Sequence, residues 1–180
     1  MPTARSFLRT LLPLSLSALF LPALPAAAQL PKGDLFAGFS RTANDTFYPN
    51  VGGLNGWEAS GYLKIHKPFL GVEADVSHYG IGADSTVPRT TAVLIGPRIT
   101  VGALGIHFFA HGLVGGEHSA NSGGLSISGG AFAYALGGGV DFPLAPFFGW
   151  RIQGDRISAP SIAPPGGTEA RFSTGLVFRF

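Results

Sequence analysis

The sequence predicts an all-β protein: an eight-stranded antiparallel up-and-down β-barrel that spans a membrane. Three observations indicate this fold class. Apolar and polar residues alternate with a period of two in segment after segment. The alternating segments are about 10–13 residues long, which suits a tilted membrane crossing better than the strands of roughly 5–6 residues in globular proteins. Short turns also alternate with long polar connections along the chain.

The composition excludes several other classes of protein. The chain of 180 residues contains 27 glycines and 14 prolines, too many for a helical bundle. Its hydrophobic content of 46% and charged content of 12% exclude an intrinsically disordered chain. Because cysteine is absent, neither a disulfide framework nor a thiolate zinc site can form.

Residues 1–28 carry the pattern of a cleaved signal peptide. Arg5 and Arg9 precede an apolar stretch from Leu11 to Leu24, and Ala26–Ala28 supplies the small residues that signal peptidase requires. An uncleaved membrane anchor is the alternative, which the short apolar length disfavours.

Residues 29–180 are therefore expected to form the barrel domain. Arg5 and Arg9 account for the net charge of +2, so this domain is close to neutral. It contains no run of basic residues, and nothing in it predicts nucleic-acid binding.

Eight segments with strict alternation are the predicted strands. In the last one, Phe172, Leu176 and Phe180 share one face, whereas Arg171 and Arg179 share the other. The predicted strands span residues 33–42, 54–66, 69–80, 89–101, 105–118, 131–142, 147–157 and 169–180.

Two segments depart from a simple strand pattern. Pro97 lies inside the fourth predicted strand and cannot donate a ladder hydrogen bond, so we expect a bulge or a local break there. Residues 131–150 are apolar enough to suggest a transmembrane helix. Gly137–Gly139, Asp141 and the prolines at 143 and 146 argue against a helix, and the alternation from Phe132 to Phe142 favours a strand.

The connections between strands fall into two classes, as in barrels that keep short turns on one side of a membrane and long loops on the other. The long polar loops are predicted at residues 43–53, 81–88, 119–130 and 158–168, and the short turns near 67–68, 102–104 and 143–146. Greek-key sandwiches do not keep this alternation.

The two faces of the strands are expected to meet different surroundings. An eight-stranded barrel has an interior that side chains only just fill, so the face with small, polar and charged residues should line the lumen. The bulky apolar face should then contact lipid, with aromatic residues near both strand ends forming interfacial girdles. A soluble lipocalin-like barrel, with its apolar face inward, is the alternative.

The C-terminal segment Gly175–Phe180 (GLVFRF) resembles the β-signal of bacterial outer-membrane proteins. Further matching segments are DLFAGF at 34–39, NGWEA at 55–59 and ALGGGVD at 135–141. Residues 30–180 thus resemble the small outer-membrane β-barrels, including the transmembrane domain of outer-membrane protein A. The resemblance implies a location in the cell outer membrane, contact with its lipid, and recognition of Phe178 and Phe180 by the barrel-assembly machinery.

A charge cluster is predicted inside the lumen. A turn at Lys67–Pro68 places Tyr62 opposite Glu73, with Lys64 one diagonal step away. Arg98 of the next strand lies diagonally near the same carboxylate. We expect Lys64, Glu73 and Arg98 to close the lumen as one cluster, with Asp75 as the nearest group to balance the excess cation.

A second charge pair is expected to assist this cluster. Pairing of the last two predicted strands places Asp155 opposite Arg171.

No catalytic, cofactor or metal site is predicted. His107 and His111 would chelate a metal on a helix, but on a strand they lie about 13 Å apart and line the lumen. Glu117, His118 and Ser119 include residue types found in hydrolase sites, yet adjacent strand residues point to opposite faces.

The predicted function is that of a monomeric integral outer-membrane barrel with a filled lumen. It would have a structural, surface-binding or adhesion role through its four long extracellular loops. The alternatives are a narrow pore for small solutes, a lipid-modifying outer-membrane enzyme and a soluble periplasmic binding barrel.

Overall fold

The computed structural model describes residues 32–43, 53–66, 69–80, 89–120, 129–158 and 168–180. These residues form eight β-strands: β1 (Gly33–Ala43), β2 (Asn55–His66), β3 (Leu70–Tyr79), β4 (Arg89–Ala103), β5 (Ile106–Ala120), β6 (Gly129–Pro143), β7 (Phe148–Ser158) and β8 (Thr168–Arg179). Each strand pairs antiparallel with its neighbours in sequence, and β8 pairs with β1 to close the barrel. The predicted fold class is confirmed, and each strand end lies within two residues of its predicted position.

Alternation along each strand separates the lumen from the exterior. On β7, the side chains of Arg151 and Asp155 are buried, whereas those of Trp150 and Ile152 are exposed on the outer face. The other strands follow the same pattern: most large apolar side chains lie outside, and most charged side chains lie inside, together with a few large apolar ones such as Phe36, Leu94 and Phe109. The soluble barrel with an inward apolar face is therefore wrong.

Residues 131–150 form β6, the following turn and the start of β7, so the helical alternative for this segment is also wrong. Within the described ranges, no helix is long and apolar enough to cross a membrane.

Pro97 interrupts one ladder without shifting the register. The β4–β5 pairs stop at Ile95↔Val114 and resume at Arg98↔His111 in the same register, while Pro97 stays paired with Val72 of β3. Because proline has no N–H to donate, only the β5 side loses pairing. The expected local break is present, and the expected bulge is not at this position. A register shift lies instead in β2, between Lys64 and His66.

The described turns lie at the end of the barrel where β1 begins and β8 ends; Gly33 and Phe180, which lie there, are called the chain ends of the barrel. Leu104 and Gly105, with φ of 55° and 82°, join β4 to β5, one residue beyond the predicted turn. Positive φ at both central residues is typical of a type I′ hairpin turn. At the β6–β7 turn, the N–H groups of Leu144 and Ala145 donate to the carbonyl oxygen of Phe148 at 3.0 Å each.

Several predictions concern residues outside the described ranges. These are the signal peptide at 1–28, the turn at Lys67–Pro68 and the central parts of the four long loops. The β1–β2, β3–β4, β5–β6 and β7–β8 connections nevertheless all leave the barrel at the end opposite Gly33 and Phe180, because the strands alternate in direction.

An apolar cluster fills part of the lumen nearer to those connections. It consists of Leu94, Leu113, Ala133, Ala135 and Ile157. The remaining lumen is polar, and it contains the candidate functional site.

Candidate functional site

Charged side chains fill the polar part of the lumen. Among the described residues, its wall contributes three guanidinium groups that are at most 2% exposed: Arg98, Arg151 and Arg171. It also contributes six buried carboxyl groups: Asp34, Glu58, Glu73, Asp75, Asp141 and Asp155. An isolated buried charge costs several kcal/mol of desolvation even after relaxation, so these groups must contact one another.

The proximal cluster lies nearer to the chain ends and consists of Asp34, Glu73, Arg98, Asp141 and Arg151. Arg151 donates to both oxygens of Asp141, from Nε at 2.7 Å and from Nη2 at 3.0 Å. Its Nη2 also donates to Asp34 Oδ1 at 2.8 Å. Arg98 Nη1 reaches the same Asp34 oxygen at 3.2 Å and Glu73 Oε1 at 3.4 Å. β1, β3, β4, β6 and β7 thus meet in one ion-pair network.

Aromatic rings lie against the two guanidinium groups of the proximal cluster. The ring of Phe109 packs against both, with its centroid 4.0 Å from the Arg98 guanidinium carbon and 4.5 Å from that of Arg151. Tyr62 contacts Arg98 at 4.5 Å, and Phe36 contacts Arg151 at 5.0 Å. These cation–π contacts stabilise two like charges at close range.

The distal cluster lies nearer to the long connections and consists of Glu58, Asp75, Asp155 and Arg171. Arg171 Nε donates to Asp155 Oδ2 at 2.7 Å, and its Nη1 donates to Asp75 Oδ1 at 2.9 Å. Arg171 Nε also lies 3.4 Å from Glu58 Oε2. Gln153 Nε2 donates to Glu58 at 2.6 Å and to Asp155 at 3.0 Å, so it links two carboxyl groups that would otherwise repel.

His111 connects the two clusters. Its Nδ1 lies 2.6 Å from Glu73 Oε2, and its Nε2 lies 2.7 Å from Asp155 Oδ1. Both ring nitrogens can donate to ionised carboxylates only when the imidazole is protonated. A charged His111 also offsets part of the excess of carboxyl groups over guanidinium groups.

The structure brings together four of the five predicted lumen residues. Glu73 contacts Arg98 at 3.4 Å, and Asp155 contacts Arg171 at 2.7 Å. The strands that carry both pairs have the register expected from the sequence. Tyr62 lies opposite Glu73, and Asp155 lies opposite Arg171.

Lys64 and Asp75 lie elsewhere than expected. Lys64 is half-buried in the wall of a cavity at the lumen mouth. Within the described part of the chain, no ion pair joins Lys64 to Glu73. Asp75 contacts Arg171 in the distal cluster and does not balance the cations around Glu73.

Sequence reasoning missed Asp34, Glu58, Asp141 and Arg151 as members of the network, and it gave His111 only a lumen-lining position. Their inward alternation was the available signal. The direct Asp141↔Arg151 pair depends on the β6–β7 register, in which Pro143 faces Gly149. The predicted turn at 143–146 implied a different register and therefore different partners.

Within the described ranges, the residue types of β5 that also occur in hydrolase sites do not converge. Glu117 is half-buried on the lumen side of β5, whereas His118 is exposed on the outer face. No group of three or more potential metal ligands occurs in the described ranges.

The barrel is similar to several solved outer-membrane proteins. Neisserial surface protein A matches with a TM-score of 0.62 and 12% identity, over 83% of this chain and 96% of that one. The attachment invasion locus protein Ail of Yersinia pestis matches with a TM-score of 0.57 and 15% identity, over 84% and 99%. The N-terminal β-barrel domain of Pseudomonas aeruginosa OprF also gives 0.57, with 13% identity over 84% and 100%.

These similarities establish the fold. No protein-family model matches the sequence, and no curated protein matches it either. The chain has the fold of the small outer-membrane β-barrels, with the apolar exterior that such a fold presents to lipid. The fold that the resemblance implied is confirmed.

Proposed function

We propose that the chain is a monomeric outer-membrane protein with a closed lumen, and that it acts at the cell surface in a structural or adhesive role. The observation that carries this proposal is the contact of charged side chains from opposite walls of the barrel. Arg98 of β4 reaches Asp34 of β1, and Arg171 of β8 reaches Asp75 of β3. Water-filled porins, by comparison, use roughly 16–18 strands.

A closed lumen leaves the parts outside the membrane as the surface on which the protein would act. We propose that the four long connections, which leave the barrel at the end opposite the chain ends, supply that surface. The names of two proteins with the same fold, a surface protein and an attachment protein, support a role of this kind. We propose that these connections face the outside of the cell and that the enzyme alternative does not apply.

An epitope tag inserted after Gly124, in the β5–β6 connection, should be accessible to antibody on intact cells. The same tag inserted between Leu144 and Ala145, in the β6–β7 turn, should react only after the outer membrane is permeabilised. Longer connections of outer-membrane barrels lie outside, and an even strand number returns both chain ends to the periplasm. Flow cytometry of cells that produce either tagged protein checks this, and the reverse pattern would contradict the proposed surface role.

We also propose that the C-terminal strand is the segment read by the barrel-assembly machinery. The Phe178 ring is exposed on the outer face, with its centroid 5.3 Å from Phe148 and 6.3 Å from Phe180. Phe180 exchanges two backbone hydrogen bonds of 3.1 Å with Gly33, which join the last residue to the first strand. Recognition by the assembly machinery and closure of the barrel would thus depend on the same few residues.

Replacing Phe180 with aspartate should prevent most of the protein from reaching the outer membrane as a compact form that migrates faster before boiling. The charge would lie in the aromatic girdle and in the proposed recognition segment. Leu104→Asp is a matched control, because Leu104 is fully exposed in a turn at the same end of the barrel. Equal yields of folded Phe180→Asp and Leu104→Asp protein would contradict the proposed role of Phe180.

A further inference from the structure

A cavity of about 350 Å³ occupies the mouth of the lumen beside the chain ends. Pockets for small ligands start at about 300 Å³, so the volume suffices for a small molecule or a headgroup. Lys32, Lys64, Thr100, His107 and Arg179 contribute to its wall, together with Tyr62 and the carboxyl groups of Asp34 and Asp141. The cavity adjoins the proximal cluster through Asp34 and Asp141, and it has no place in the proposed function.

Two lysines face each other in this wall. The N–H of Lys64 donates to the carbonyl oxygen of Lys32 at 2.9 Å across β1 and β2. Cross-strand neighbours project from the same face of a sheet, and the adjacent inward residues Asp34 and Tyr62 identify that face as the lumen. Like charges directly opposite each other destabilise a strand pair unless an anion lies between them.

The carboxyl groups in the wall do not neutralise these lysines. Asp34 accepts hydrogen bonds from Arg98 and Arg151, and Asp141 accepts two from Arg151. Arg179 adds a third cation to the mouth, with Nη2 3.3 Å from Asp141 Oδ2. The mouth therefore carries an excess of positive charge.

Three buried polar atoms of residues in the same wall have no hydrogen-bond partner among the described residues. They are Tyr62 Oη, Thr100 Oγ1 and His107 Nδ1. Tyr62 is only 5% exposed, and its hydroxyl oxygen is buried. Each of these atoms can donate, and buried donors without a partner are rare in folded proteins.

We propose that this vestibule binds a phosphate group. A phosphate supplies the acceptor oxygens that the unpaired donors lack and the negative charge that separates Lys32 from Lys64. The same chemistry would come from free inorganic phosphate or from the headgroup of a phospholipid. In either case Lys32, Lys64 and Arg179 provide the charge, and Tyr62 and Thr100 provide neutral hydrogen bonds.

Calorimetric titration of the purified protein in phosphate-free maltoside micelles tests this proposal. One arm uses inorganic phosphate, and the other uses a soluble short-chain phosphatidic acid. Lys64→Met should weaken binding by at least about tenfold, as expected for the loss of a charged hydrogen-bond donor. Tyr62→Phe should weaken it to a smaller extent while keeping the ring that packs against Arg98. Arg89→Met, an exposed cation at the other end of β4, is the control that should bind like the unmodified protein.

Each outcome has a definite meaning. Inorganic phosphate binding that is sensitive to Lys64→Met and Tyr62→Phe indicates the free anion. Binding of phosphatidic acid alone, with the same sensitivity, indicates a lipid headgroup. Failure of both probes to bind overturns the proposal, as does binding that neither lumen variant changes. Heat-dependent gel mobility establishes whether each variant is folded. If Lys64→Met does not fold, the Tyr62→Phe variant still tests the proposal.

Discussion

Replacing Arg151 with methionine should lower the free energy of unfolding by about 3–5 kcal/mol, the range for a buried ion pair that loses one partner. Arg151 donates three hydrogen bonds to Asp34 and Asp141, and its removal leaves both carboxyl groups buried with fewer cations nearby. Urea unfolding in lipid vesicles, followed by tryptophan fluorescence, measures the change.

Arg156→Met is the matched control for this substitution. Arg156 lies on the same strand but is exposed on the outer face, so its replacement should change stability by less than about 1 kcal/mol. Adding Asp141→Leu to Arg151→Met should recover part of the loss, because an apolar replacement for both partners leaves no orphaned charge between them. Equal losses for Arg151→Met and Arg156→Met would show that the lumen network contributes little to stability.

Gly137→Val should destabilise the barrel by about 3 kcal/mol or more, through overpacking and disruption of an ion pair. A Cβ atom on Gly137 would overlap with the Asp155 carboxylate and lie 2.6 Å from the carbonyl oxygen of Gly154. Asp155 would have to move away from His111 and Arg171, and the two clusters would lose their connection. The same urea titration measures this effect.

Gly154→Val provides the control on the neighbouring strand. A Cβ atom there would meet only the carbonyl oxygen of Arg171, at 3.9 Å, and Gly154 is exposed on the outer face. Since β-branched residues suit strands, this substitution should be neutral or stabilising. A loss for Gly154→Val as large as that for Gly137→Val would indicate that backbone freedom, and not space in the lumen, explains the glycine at 137.

The strands and the two faces of the barrel could be predicted because they depend on local alternation. Bulky apolar residues at every second position determine which side chains point outward, and short turns determine which residues face each other on adjacent strands. Tyr62 opposite Glu73 is a consequence of a short turn, and Asp155 opposite Arg171 follows from the pairing of neighbouring strands. No contact across the lumen was required for them.

The contacts across the lumen could not be predicted in this way. Arg98 meets Asp34, and Arg171 meets Asp75, because closure of the barrel brings β1 opposite β4 and β3 opposite β8. Pairing rules apply to adjacent strands, so they do not predict which side chains meet across the lumen. Lys64 does not join the predicted cluster for a related reason. The ring of Tyr62 lies against Gly71 and Arg98, and it occupies the space through which the Lys64 side chain was expected to approach Glu73.

The closed lumen is tested most directly by planar-bilayer recording of the purified, unmodified protein. If the proximal and distal clusters block the lumen, insertion of the folded protein should produce no large, steady conductance at moderate voltage and salt. Folding is established on the same sample by heat-dependent gel mobility. Large and steady conductance steps from this folded protein would contradict the closed lumen and support a narrow pore for small solutes.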